Sequence, residues 1–433
     1  MSYETVGVIG IGLLLFLFFM GLPVGFTMAL VGFIGFAYLN GIDSAFVLIA
    51  QDIFETLSSY PLSVIPTFIL MGSFAYAAGI SQKLYAACYT WVGHLRGGLT
   101  IATVLACSGF AAVCGSTAAT AATMGKIALP EMKKYKYSDL LATGTVAAAG
   151  TLGILIPPST VFIVYGILTE ESIGKLFLSG ILPGAILTLF YVATVAIICL
   201  RHPEYGPPGP STTWKEKMRS SVGITPAVIL FVLSIGGLFL GWFSPTQAGA
   251  IGSSGALLLG LIQQELTWKR FVESGIDGLK TACMVLFIIA GATVFGHFMA
   301  LSNIPFVLAD WAGNLPISPI AIIGVIIFIY FIGGFFMDSM ALIVVTLPIF
   351  YPVVRKLGFD PIWFGVMIVL IAEMGVITPP VGVNVFVIKG IAPEIPIQVI
   401  FRGIIPYLVG LLLLAALLMI FPRIATFLPG LVP

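Results

Sequence analysis

Charge is what this chain has least of: Asp, Glu, Lys and Arg make up 9% of its 433 residues, against about 25% in ordinary soluble domains. With 59% of residues hydrophobic and a mean hydropathy of +1.12, that scarcity excludes a soluble globular enzyme. Neither sign dominates, 19 Lys and Arg standing against 18 Asp and Glu, so no nucleic-acid partner is indicated. Cysteine is sparse too. Cys88, Cys107, Cys114, Cys199 and Cys283 lie in apolar sequence without a CxxC or a neighbouring His, which favours packing over metal ligation or disulfides. There is no GxxxxGK[ST], HExxH or GxSxG, hence no sign of ATP hydrolysis or proteolysis. The start, MSYETVG, has no Lys or Arg, and no small-residue cleavage site follows Met20-Gly21; a retained first helix is expected, not a signal peptide.

What the chain has in abundance is apolar sequence. A span needs roughly 20 apolar residues, so this length allows about ten to fourteen crossings of a lipid bilayer. Two apolar runs are interrupted near their middles: 99–130 at Cys114-Gly115-Ser116-Thr117, and 317–352 at Gly333-Gly334 and Met337-Asp338-Ser339. Segments that enter the membrane, turn at a small polar tip and leave on the same side produce this pattern, so two re-entrant hairpins are expected. After each comes a helix broken by a double proline, GILIPPS at 153–159 within 140–168 and GVITPPV at 375–381 within 361–388. Proline removes a backbone donor and bars the preceding residue from helical geometry. The two Gly-x-x-x-Pro-Pro segments lie 222 positions apart, which points to an internal repeat.

The expected organisation is scaffold helices at 1–60; a first repeat at 61–200 with an arm helix at 82–96; an inner loop, scaffold helices and a second arm helix (266–280) within 201–280; a second repeat at 281–421; and a tail at 422–433. Trp, Lys and Arg suit the arms to the membrane interface, although an ordinary amphipathic connector has the same composition. With the N-terminus outside and the hairpins counted as no crossing, only Lys175, Arg355, Lys356 and Arg423 of the 19 basic residues fall outside. That satisfies the positive-inside bias and makes the repeats inverted.

Inverted repeats with broken helices are the signature of a secondary transporter, in which unwound backbone supplies carbonyls to a cation. The prolines strip helical donors from Gly150, Gly153 and Ile156 in one break, and from Gly375 and Thr378 in the other. Gly115, Ser116, Thr117 and Thr120 at one tip, and Gly334, Asp338 and Ser339 at the other, complete two candidate cages. The alternative is that these small residues serve close helix packing. Asp338 and Glu373 are the acids set within apolar runs, a placement expensive enough to suggest function. Asp338 suits either a helix cap or a cation ligand, and His297 either a proton relay or a satisfied core residue.

The stretches SGFAAVCGSTAATAATMGKIALPEM (108–132), AAAGTLGILIPPSTVFIVYG (147–166), GGFFMDSMALIVVTLPIFYPVVRKLGFDPIWFGV (333–366) and EMGVITPPVGVNVFV (373–387) strongly resemble the large membrane subunit of TRAP (tripartite ATP-independent periplasmic) transporters. The resemblance implies an all-α polytopic fold like that of the ion-transporter superfamily, with about 10–12 transmembrane helices. It implies the bacterial inner membrane and sodium-coupled import of an organic acid, and with the charge count above both termini are expected to be periplasmic. The partners implied are a periplasmic substrate-binding protein and a small four-helix membrane subunit. Carried onto this sequence, it implies one Na+ site from Ser116, Thr117, Gly153, Ile156 and Pro158 and another from Gly334, Gly375, Thr378 and Val381. Substrate is expected between the tips, near Gly115, Ser116, Thr117, Asp338, Ser339, Glu373, Pro380 and Asn384. Half-helix N-termini after Thr117 and Ser339 offer amides to a carboxylate. The rival expectations are a stand-alone dicarboxylate symporter and, more remotely, a polytopic membrane enzyme.

Overall fold

A computed structural model describes residues 1–431, so the expected tail at 422–433 is covered except for its last two positions, which lie outside the described residues. Those described are helical or irregular, with no strand among them. Among the described residues, seven helices are long and apolar enough to cross a membrane, and six shorter apolar helices of 10–17 residues accompany them. The fold is therefore an all-α polytopic membrane protein.

Both interrupted runs fold as helix pairs around a tight turn. The first pair is Gly98–Cys114 and Thr117–Lys134, and the second is Pro319–Gly334 and Ser339–Lys356. Gly115 makes the first turn possible, because its φ of +67° lies in the left-handed region where a side chain would be strained. Both double prolines break their helices. One segment runs Asp139–Ala149, Leu152–Leu155 and Thr160–Thr169, the other Pro361–Ile377 and Val383–Ile391.

Helices cross closely where glycines meet. Gly144 and Gly403 stack backbone on backbone where Asp139–Ala149 crosses Ile397–Ile420, leaving no room for a Cβ on either. Gly25 and Gly32 play the same part against the long helix Trp268–Leu301. Between the two halves, Tyr191 and Tyr407 pack edge to face at 5.4 Å, with their hydroxyls on Thr151 at 2.9 Å and Thr145 at 2.6 Å.

Within the scaffold helices expected at 1–60, Ile42–Ser58 is a third helix and buries Asp52. One element differs from expectation. The arm expected at 266–280 is no separate element: it continues without a break into the span behind it, giving the 34-residue helix Trp268–Leu301. Within it, Gly278 lets the helix lie close against Leu70 and Ser73, whose side chains a Cβ would meet at 2.9 and 3.0 Å. At 1.5 Å per residue such a helix exceeds the bilayer core by about 20 Å.

Polar contacts outside the core join residues expected on the same side of the bilayer. Lys133 pairs with Glu394 at 2.7 Å, and Lys83 donates to Gln263. On the expected outer side, Tyr351 donates to Glu171 at 3.1 Å, Lys356 pairs with Asp310, and His297 meets Asp52 at 2.8 Å.

Candidate transport site

The two hairpin tips and the two helix breaks converge. At the first tip, Ser116 caps Thr117–Lys134, its hydroxyl accepting from the Ala119 amide at 3.4 Å. Gly153 lies so close that a Cβ there would come within 2.5 Å of the Ser116 carbonyl oxygen and 2.7 Å of the Thr120 hydroxyl. Likewise a Cβ on Gly115 would sit 2.7 Å from the Pro158 carbonyl oxygen. The Gly153 carbonyl keeps no helical donor, since the residue four positions on is Pro157 and the Ile156 amide bonds Leu152 instead. Ser116, Gly153 and Pro158 are thus brought together, with Thr117 and Ile156 flanking them. The expectation that the prolines strip helical donors is corrected at Gly150, whose carbonyl accepts from the Gly153 amide at 2.9 Å, and equally at Gly375 in the second break, because the chain tightens to i→i+3 bonds before each break.

The second tip repeats the arrangement with shifts. Gly334 touches Gly375, where a Cβ would stand 2.9 Å from the Gly375 Cα. The Gly375 carbonyl accepts from the Thr378 amide at 3.0 Å, and the Thr378 hydroxyl donates to the Met374 carbonyl at 2.5 Å. Each oxygen retains a lone pair for a cation. Pro380 and Val381 are exposed, whereas Pro157 and Pro158 in the first break are buried.

Asp338 caps the second returning helix, one carboxylate oxygen accepting from the amides of Met340 at 3.0 Å and Ala341 at 3.1 Å. Those amides are therefore unavailable to an anion. At the first tip the amides of Thr117 and Ala118 have no protein acceptor among the described residues, and Ala118 and Ala119 are exposed to the cavity. Glu373, 2% exposed, accepts from the Thr117 hydroxyl at 2.8 Å and from the Ser339 hydroxyl at 2.7 Å. Asn384 is fully buried. Its amide group donates to the Ala147 carbonyl at 3.1 Å, and its side-chain oxygen has no partner.

These groups line a cavity of about 590 Å³ whose charged residues are Lys126, Asp338 and Glu373. It shares Ser73 and Tyr76 with a second, polar cavity of about 600 Å³ lined by Gln82, Lys83, Glu265 and Arg270 among others. Sequence reasoning missed Ser73, Tyr76 and Thr281, which come from helices with no motif of their own. It also missed Thr160, whose hydroxyl donates to the Gly115 carbonyl at 3.0 Å and pins the first tip. Its place directly after Pro-Pro-Ser was the available signal.

The family described as "Tripartite ATP-independent periplasmic transporter, DctM component" matches residues 11–424. The chain is 36% identical to the C4-dicarboxylate TRAP transporter large permease protein DctM of Pseudomonas aeruginosa, over 88% of this chain and 89% of that one. To the sialic acid TRAP transporter large permease protein SiaM of Vibrio cholerae it is 32% identical, over 96% of each. Among solved structures the YdaH transporter of Alcanivorax borkumensis shares the fold, with a TM-score of 0.66 and 16% identity, over 88% of this chain and 89% of that one.

Proposed function

This chain belongs to the DctM family of tripartite ATP-independent periplasmic transporters and is a large permease subunit, and from that premise we propose that it imports an organic acid across the bacterial inner membrane, driven by sodium. The observation that carries the reading is the pairing of each hairpin tip with one helix break: Ser116 on Gly153, and Gly334 on Gly375. Unwound carbonyls and a hydroxyl are ligands suited to sodium. One Na+ would be held by the oxygens of Ser116, Thr117, Gly153, Ile156 and Pro158, the other by those of Gly334, Gly375, Thr378 and Val381. The substrate carboxylate docks on the free amides after Ser116, helped by the positive end of that half-helix.

The basic-rich side of the chain is cytoplasmic on this reading. Lys126 lines the first cavity, and Lys83 and Arg270 the second, all three on that side. The repeats are inverted, and the hairpin-bearing parts move as an elevator against the scaffold helices. The substrate arrives on a periplasmic binding protein, and a small four-helix subunit completes the membrane complex. Relatives named for C4-dicarboxylate and sialic acid transport support an organic acid as cargo.

The test is uptake into proteoliposomes holding this chain with its small subunit, with binding protein and labelled organic acids outside. An inward sodium gradient is expected to drive accumulation that the same gradient of potassium does not. Accumulation that proceeds unchanged without sodium sinks the mechanism.

A further inference from the structure

The two hairpins meet on one side chain. Thr117 and Ser339 are each the first residue of the returning half-helix of their hairpin, and they lie 222 positions apart, the same offset as the double prolines. They are the same position in the two halves. Both hydroxyls donate to the carboxylate of Glu373, one to each oxygen. The position matching Glu373 in the first half is Thr151, which bonds Ala148 and Tyr191 and reaches neither tip. One residue therefore serves both tips, and only one half supplies it. No Lys, Arg or His forms an ion pair with Glu373 among the described residues, so the hydroxyls are its hydrogen-bond partners.

The backbone places this bridge between the two cages. Thr117 follows Ser116, whose carbonyl abuts Gly153, and Glu373 lies two residues before Gly375, which abuts Gly334. A path of direct contacts runs from Gly153 through Ser116, Thr117 and Glu373 to Gly375 and Gly334. We infer that Glu373 is a positioning residue that couples the two cation sites: seating an ion at one tip sets the position of the other tip through this carboxylate. The inference rests on the sodium reading above. Coupling between sites is a free energy shared by both, so the bridge makes sodium activation steep, and a single hairpin cannot close alone.

The experiment is sodium activation of uptake at saturating substrate by the reconstituted complex, for wild type, E373Q, S339A and the double variant. Glutamine keeps the shape, but its NH2 group cannot accept, so one of the two hydroxyls loses its acceptor. Wild type is expected to show a Hill coefficient near two. For E373Q the coefficient falls toward one and half-saturating sodium rises about tenfold, within the 5–150-fold usual for coupled sites. Because Ser339 acts through Glu373, the double variant adds little to E373Q. Wild-type steepness and midpoint retained in E373Q, or strictly additive effects, overturn the bridge while leaving sodium coupling standing. Sodium-independent uptake by wild type overturns both. If E373Q does not fold, S339A against S339T makes the comparison from the other end of the bridge: alanine flattens the curve and threonine restores it, and identical curves overturn the inference.

Discussion

Asp338 and Ser116 both cap a helix that returns from a hairpin turn, but they leave different things free. Asp338 occupies two amides with one oxygen, while Ser116 reaches only the Ala119 amide, at 3.4 Å. The first tip consequently keeps the Thr117 and Ala118 amides free where the second commits those of Met340 and Ala341 to its cap. If Asp338 acts as a cap, Asp338→Asn holds stability within a few tenths of a kcal/mol, and Asp338→Ala costs about 1 kcal/mol. Thermal unfolding of the purified protein in detergent measures this; equal losses for both variants would show that its charge matters more than its capping. Asn384 is the other singular residue. It lines the cavity, its buried side-chain oxygen has no partner, and its amide group is fixed by the Ala147 carbonyl.

At the scale of elements, the glycine crossings set how closely helices approach. Gly144 and Gly403 meet without space for a methyl group, so Gly144→Ala or Gly403→Ala must push two buried helices apart. Overpacking of this kind costs about 1–3 kcal/mol. A lowered unfolding temperature is expected for either, whereas Gly390→Ala, where a Cβ meets open space, lowers it less. Element boundaries were legible in the sequence where proline, glycine or a capping residue broke an apolar run: both hairpin turns and both double-proline breaks could be read directly. The helix Ile42–Ser58 was not, because Asp43, Asp52 and Glu55 interrupt its hydropathy and its apolar side is only a stripe. The unbroken course of Trp268–Leu301 was hidden for a different reason. Lys and Arg near its start imitate an interfacial end, although the helix runs on through Gly278. Of the candidate site, the Gly153 carbonyl left without a helical donor was legible because proline chemistry is local, whereas the i→i+3 bonds that serve Gly150 and Gly375 were not. The Glu373 bridge was not, since Thr117, Ser339 and Glu373 come from three separate segments and no spacing predicts that they meet.

For the whole molecule, sidedness and charge movement are linked. Contacts such as Lys133 with Glu394 and Tyr351 with Glu171 each join residues expected on one face, so the two faces sort consistently. Lys215 and Arg423, both exposed, are assigned to opposite faces. In intact cells a membrane-impermeant maleimide is expected to label Arg423→Cys above the parent's background, and to label Lys215→Cys only after permeabilisation; the reverse pattern inverts the topology. With that orientation, two sodium ions entering with a monocarboxylate carry one net positive charge inward. Moving one charge through 100 mV is worth about 2.3 kcal/mol, which is roughly 50-fold in equilibrium accumulation at 1.4 kcal/mol per decade. Imposing 100 mV, negative inside, with a potassium diffusion potential across the proteoliposomes is therefore expected to raise the plateau of a monocarboxylate by about that factor and to leave a fully ionised dicarboxylate unchanged. A monocarboxylate plateau that ignores the potential, together with a dicarboxylate plateau that the potential lowers, would mean one sodium ion per cycle instead of two.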